Sequence, residues 1–169
     1  MKTMDLILWR HADARDLVDG QADVDRPLTA KGERQAQRMA QWLQRHLPET
    51  TRVLVSPTLR TRQTADRLDR RYKLAPGLAP DQTVDTLLGL TRWPDAPQPV
   101  LVVGHQQTLG LTAAYLMAGV VQPWALRKGA VWWLRAAKLR EPTLADASPS
   151  GEPGLPRAVL HAVMAPDRV

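Results

Sequence analysis

Cysteine is missing from this chain altogether. Its absence excludes disulfides, thiolate metal sites and a cysteine nucleophile. Phenylalanine is also missing, and tyrosine occurs twice. No basic stripe interleaved with aromatics is present, and no block of Lys or Arg. The net charge of +6 comes from 23 basic and 17 acidic residues, and these are spread along the chain. A nucleic-acid partner is therefore not expected; a phosphorylated or acidic partner accounts for the same excess. No apolar run approaches the length of a membrane span. Met1-Lys2-Thr3-Met4-Asp5 leads straight into a strand pattern, with no signal-like segment. The expected setting is the cytoplasm, without a membrane partner.

What is present fits a folded soluble protein. The 169 residues are 44% apolar and 24% charged, enough for one full core. Residues 1–169 are expected to form one domain. The chain is organised around Leu6-Ile7-Leu8-Trp9-Arg10-His11-Ala12-Asp13. Four apolar residues end abruptly in a guanidinium, an imidazole, a small residue and a carboxylate. This is the pattern of a central strand that delivers Arg10 and His11 into a crevice at its carboxyl end. Arg10 can hold an anion with its planar fork. His11 offers a nitrogen nucleophile or base.

The polar, acidic stretch from Asp13 to Arg26 reads as a loop, long enough to fold over the mouth of that strand. Thr29 is an N-cap for a helix that places Ala36, Met39, Ala40, Leu43 and Leu47 on one face, and Pro48 stops it. Gly32 in its first turn points to a close backbone approach. Arg52 to Val55 reads as a second buried strand, ending in Ser56-Pro57-Thr58. The spacing predicts a helix from Leu59 to Tyr72. Arg60 and Arg62 in its first turn oppose the helix dipole, a conflict that a bound anion would relieve. Lys73 to Asp81 reads as a connection, and Val84 to Thr91 as a short helix. Val100 to Val103 is a third buried strand ending in Gly104-His105, followed by a helix over Gln107 to Met117. Ala130–Leu134 and Ala158–Val163 are further strand candidates, with 141–156 a mobile loop between them. The Trp132-Trp133 pair reads as one core and one surface residue.

Three strands thus end in chemically loaded turns. In a parallel sheet those ends share one edge. Two imidazoles and two guanidiniums would then converge without a comparably placed carboxylate. Such a pocket suits a dianionic phosphoryl group. His11 and Asp13 lack a second ligand cluster, so no metal or other cofactor is expected.

At this point the chain resembles the histidine phosphatase superfamily, also called phosphoglycerate mutase-like. The matching motifs are Leu8-Trp9-Arg10-His11-Ala12, Arg26-Pro27-Leu28-Thr29-x-x-Gly32, Ser56-Pro57-x-x-Arg60-x-x-Gln63-Thr64-Ala65 and Val103-Gly104-His105. Ala12 stands where the family usually has Gly. The small size and the short interval from Arg60 to His105 look most like the SixA-type phosphohistidine phosphatases. The resemblance implies an α/β three-layer domain, a mixed and mostly parallel sheet with helices on both faces. It implies that His11 becomes transiently phosphorylated, that Arg10 and Arg60 clamp the phosphoryl oxygens, and that His105 donates to them. Arg26 could line the mouth as a further phosphate contact. Neighbouring Arg charges would keep the attacking imidazole unprotonated.

Larger relatives carry a carboxylic acid between the second Arg and the second His. Here that interval holds Asp66, Asp69, Asp81, Asp85 and Asp95, of which Asp81 and Asp85 are best placed. Imidazole can leave already protonated and does not need such an acid; a sugar alkoxide does. The expectation is therefore a metal-independent phosphatase for protein phosphohistidine. A phosphatase for small phosphomonoesters or anhydrides is the enzymatic alternative. A phosphoprotein-binding regulatory module is the non-enzymatic one.

Overall fold

The computed structural model describes residues 4–137 and 158–169. Six strands form one sheet: β1 (Asp5–Arg10), β2 (Arg52–Val55), β3 (Lys73–Leu74), β4 (Val100–Gly104), β5 (Val131–Ala136) and β6 (Ala158–Met164). Their order is β3-β2-β4-β1-β5-β6. The first four are mutually parallel, while β5 runs antiparallel to β1 and β6 antiparallel to β5. This is the expected mixed, mostly parallel α/β sheet.

Successive side chains of a strand face opposite ways, and here both ways are apolar. Ile7, Trp9, Val53, Val55, Leu101 and Val103 pack on one face. Helices α1 (Ala30–His46) and α2 (Leu59–Asp66) cover that face with Met39, Ala40, Leu43 and Ala65. Leu6, Leu8, Leu54, Val100 and Val102 face the other way. There α3 (Val84–Thr91) and α4 (Gln106–Ala118) supply Leu87, Leu109, Ala113 and Leu116. Burial on both faces explains why β1, β2 and β4 read as continuous apolar runs. Truncating a fully buried residue such as Leu8 to Ala would cost about 2–5 kcal/mol.

The first helix forms as its pattern predicts. Thr29 Oγ1 accepts the Gly32 amide at 3.0 Å, capping the first turn. Gly32 is needed because a Cβ there would lie 1.9 Å from the Asp13 carbonyl oxygen. That carbonyl already accepts the Thr29 amide at 3.0 Å, so the post-β1 turn is seated on the helix start.

The second helix is shorter than its periodicity predicts. It ends at Asp66, and the chain then tightens through a Leu68 amide to Ala65 carbonyl bond. Asp69 takes a left-handed backbone, φ 51°, which a continuing helix excludes. Tyr72 therefore lies beyond the helix, half-buried, with its hydroxyl donating to Asp66 at 2.7 Å. The expected connection from Lys73 contains strand β3 instead, paired to Leu54 and Val55. The tryptophan pair also differs from expectation. Trp133 is buried on one face, and Trp132 is half-buried against the opposite core. Residues 141–156, expected to be a mobile loop, lie outside the described residues. No helix among the described residues is long and apolar enough to cross a membrane.

Candidate active site

The parallel strands bring the three loaded turns to one edge. β1 carries Arg10 opposite Gly104 of β4, and the His11 amide donates to the Gly104 carbonyl at 3.0 Å. The Ser56 amide donates to Val103 at 3.0 Å, which brings the end of β2 alongside. His11 and His105 consequently face each other with ring centroids 5.4 Å apart. Arg60, in the first turn of α2, reaches His105: its Nη2 lies 3.5 Å from His105 Nδ1. His11, His105 and Arg60 are buried, and Arg10 is half-buried.

Each ring has a defined tautomer. His11 Nδ1 lies 2.7 Å from the Ala12 carbonyl oxygen. A carbonyl only accepts, so Nδ1 carries the proton and Nε2 keeps its lone pair. His105 Nδ1 faces a guanidinium, which only donates; its Nε2 therefore carries the proton toward Ser56 Oγ, 2.8 Å away. Burial, then the charges of Arg60 and Arg10, lowers the His11 pKa to about 4, although the Ala12 bond pulls the other way. Burial, repulsion from His11 and the Arg60 charge lower His105 to about 3. Both imidazoles are neutral at neutral pH. His105 is thus not an imidazolium in this state.

The two guanidiniums are held from behind. Arg10 Nη1 donates to the Leu126 carbonyl at 2.6 Å. That carbonyl is placed by Gln106, whose side chain accepts the Leu126 amide at 2.8 Å and donates to Trp124 at 2.6 Å. Arg60 donates from Nη1 to the Asp23 carbonyl at 2.8 Å and from Nη2 to the Asp23 carboxylate at 2.9 Å. Asp23 spends the fork between the two terminal nitrogens. Nη2 also lies on the His105 side. Both Arg10 Nε and Arg60 Nε are buried without a hydrogen-bond partner among the described residues. Buried guanidinium donors of this kind match the oxygens of a phosphoryl group.

Arg26 is drawn to the same carboxylate: its Nε donates to Asp23 at 2.8 Å and its Nη1 to the Arg15 carbonyl at 2.9 Å. It therefore reaches the site through Asp23. Burial pushes the Asp23 carboxyl up, but Arg60 and Arg26 outweigh it and hold the pKa below the ordinary value. Asp81 and Asp85 are exposed, and neither carboxylate bonds to a site residue among those described. Arg62 points to solvent. Among the described residues no group of three His, Asp or Glu side chains is arranged to hold a metal ion.

Sequence reasoning did not assign Asp23, Ser56, Gln106 or the Gln63-Thr64 pair. The last two tie α2 to the site. Thr64 Oγ1 accepts the Ala12 amide at 3.1 Å, and Gln63 Oε1 accepts the Leu28 amide at 2.8 Å. Ser56, Gln63 and Thr64 were visible within the third motif. Asp23 was hidden among the other acids of its loop.

Comparison with known proteins shows the family and the fold. The family model of the histidine phosphatase superfamily (branch 1) matches residues 6–81. A protein of Picosynechococcus, itself uncharacterised, is 41% identical over 69% of this chain and 74% of its own. The phosphohistidine phosphatase SixA of Escherichia coli is 34% identical over 71% of this chain and 78% of its own. A solved structure of the protein histidine phosphatase SixA complexed with tungstate is similar across 97% of this chain and 98% of that one, with TM-score 0.70 and 29% identity.

Proposed function

The chain belongs to the histidine phosphatase superfamily, and on that premise we propose that this phosphatase acts on protein phosphohistidine through a phosphorylated His11. The observation that carries the reading is the fixed tautomer of His11. Its Nε2 lone pair is free at neutral pH, beside the buried Arg60 and the half-buried Arg10 guanidiniums. Nε2 attacks phosphorus as the bond from phosphorus to the substrate imidazole nitrogen breaks. The imidazole leaves carrying its own proton. Water then attacks the phosphoryl group on His11, releasing phosphate and restoring the neutral ring. Arg10 and Arg60 hold the equatorial oxygens throughout, where charge must be matched by fixed donors. His105, kept neutral with Nδ1 toward Arg60, packs the opposite wall. An arriving dianion favours its protonation and turns it into a further donor.

Among the described residues no working acid stands at the site, which favours an easily expelled leaving group. Asp23 is the carboxylate at the site, but two arginines hold it ionised. Asp81 and Asp85 stand exposed. Alkoxide departure from a sugar phosphate would have no proton source among these.

The test is to trap the intermediate. The protein is mixed with a radiolabelled phosphohistidine domain, quenched without acid and mapped by proteolysis. Label on His11, absent in His11→Ala, is expected. Hydrolysis without a labelled enzyme, or with label elsewhere, would overturn the reading.

A further inference from the structure

Behind His11 the same edge of the sheet opens into a cleft of about 510 Å³ between α1 and the segments at 127–128 and 166–167. Its position follows from topology. β5 begins, and β6 ends, at the edge where β1 ends. The cleft shares a wall with the active site: the Gly129 amide donates to the His11 carbonyl at 3.0 Å, and Lys128 Nζ lies 2.6 Å from Asp13.

The lining is strongly basic. Lys31, Arg34 and Arg38 recur at helical spacing on one side of α1, and Arg127 and Lys128 face them. Only the last two have carboxylate partners, Asp167 at 2.9 Å and Asp13. The three on α1 have none among the described residues. Five cations gathered against two carboxylates repel one another, so an approaching anionic surface gains from all of them.

We propose that this cleft docks an acidic face of the protein that carries the phosphohistidine. The proposal rests on the reading given under Proposed function. The cations of α1 extend over seven residue steps, about 10 Å of helix, which suits an extended acidic surface better than one small oxyanion. No lining residue is aromatic, so nothing there stacks on bases. An acidic partner seated in the cleft lies beside the wall that holds His11. Docking there raises the local concentration of its phosphohistidine at the nucleophile.

The experiment uses two phosphohistidine peptides, one flanked by glutamates and one by glutamines, together with an aryl phosphate. Wild type is expected to show a lower KM for the glutamate peptide, about tenfold at low ionic strength, closing as salt is added. The double variant Arg34→Glu, Arg38→Glu should lose or invert that preference. Its kinetics on the aryl phosphate and its melting temperature should stay unchanged. Equal KM values for both peptides in wild type, or an unaltered preference in the variant, overturn the docking surface alone. Failure of wild type to hydrolyse either peptide while it cleaves the aryl phosphate overturns the phosphohistidine reading and the docking surface with it. Loss of duplex DNA binding in the variant, with the peptide preference intact, assigns the cleft to nucleic acid and also overturns the proposal.

Discussion

Asp23 grips Arg60 twice, with its backbone carbonyl on one terminal nitrogen and its carboxylate on the other. An exposed loop residue thereby sets the angle of a buried guanidinium. Asp23→Ala keeps the carbonyl contact and loses the carboxylate. The side chain is half exposed, so the lost ion pair is worth about 1 kcal/mol or less. A fall of about fivefold in kcat/KM is expected, with little change in melting temperature. Tighter inhibition by orthovanadate in the variant would instead mark Asp23 as a competitor for the clamp.

Arg60→Lys should be far more damaging. An ammonium cannot use both forks at once, so it cannot hold Asp23 and a phosphoryl oxygen together. Losing a charged hydrogen bond in the transition state is worth about 2–4 kcal/mol, or roughly two to three decades in kcat. Steady-state kinetics on an aryl phosphate reads this directly. Near-normal turnover would remove Arg60 from the clamp.

With no working acid at the site among the described residues, the proposed substrate choice can be tested. The rate should track the ease of leaving-group departure. Phosphohistidine in a protein domain and an aryl phosphate should exceed a sugar phosphate by about a hundredfold or more in kcat/KM. Equal rates would require a proton donor, and Asp81→Asn and Asp85→Asn would then be the variants to compare.

The two histidines also make stability depend on pH. Both have folded pKa values, about 4 and about 3, below the ordinary 6.5. As pH falls through 6.5 the unfolded chain takes up protons that the folded chain refuses. Their contribution is therefore full above that pH and is lost progressively toward the folded values. Between about pH 7 and about pH 5 the unfolding free energy should drop by about 2 kcal/mol per histidine. Urea titrations at the two pH values check this. His105→Gln should flatten the slope, and an unchanged slope would place the loss in other groups.

Gly32→Ala tests the seat of the turn after β1. Alanine favours the helix by about 1 kcal/mol. Overpacking costs about 1–3 kcal/mol and occasionally more. A methyl 1.9 Å from the Asp13 carbonyl is at the severe end, so destabilisation should win. Thermal melting should show a drop of several degrees, and activity should fall with it because Asp13 follows His11 by two residues. A gain in melting temperature would mean that the turn yields freely.

Much of this arrangement was legible because local signals and global packing agree. The abrupt change from Trp9 to Arg10 and His11 marked the site, and Thr29 with Gly32 marked the helix that supports it. The strands at Arg52 and Val100 were plain because both of their faces are buried. Other features have no local signature. Strand β3 is two residues long and exists through its pairing with Leu54 and Val55. The second helix stops at Asp66 although the apolar spacing continues to Leu68 and Tyr72. Its end is set by the backbone turn at Asp69. Asp23 is one of several acids in an aperiodic loop, and only its meeting with Arg60, 37 residues away, singles it out. Gln106 acts by ordering the chain at Trp124 and Leu126, a contact with no periodicity to reveal it.

The sheet order also divides the site into a stiff half and a soft half. Arg10 and His11 continue the strand bonded on both sides, to β4 and to β5. Amide protons there exchange with solvent only through the largest openings of the protein. Arg60 is buried too, but its orientation is borrowed from Asp23, in a three-residue 3-10 turn that contains exposed Val24 and follows exposed Leu17 and Val18. No residue of that turn is buried, so it is expected to open at lower free energy than the sheet. On the proposed roles, His11 is expected to stay put while Arg60 moves with its loop, so that phosphate departs by a local fluctuation that leaves the sheet closed.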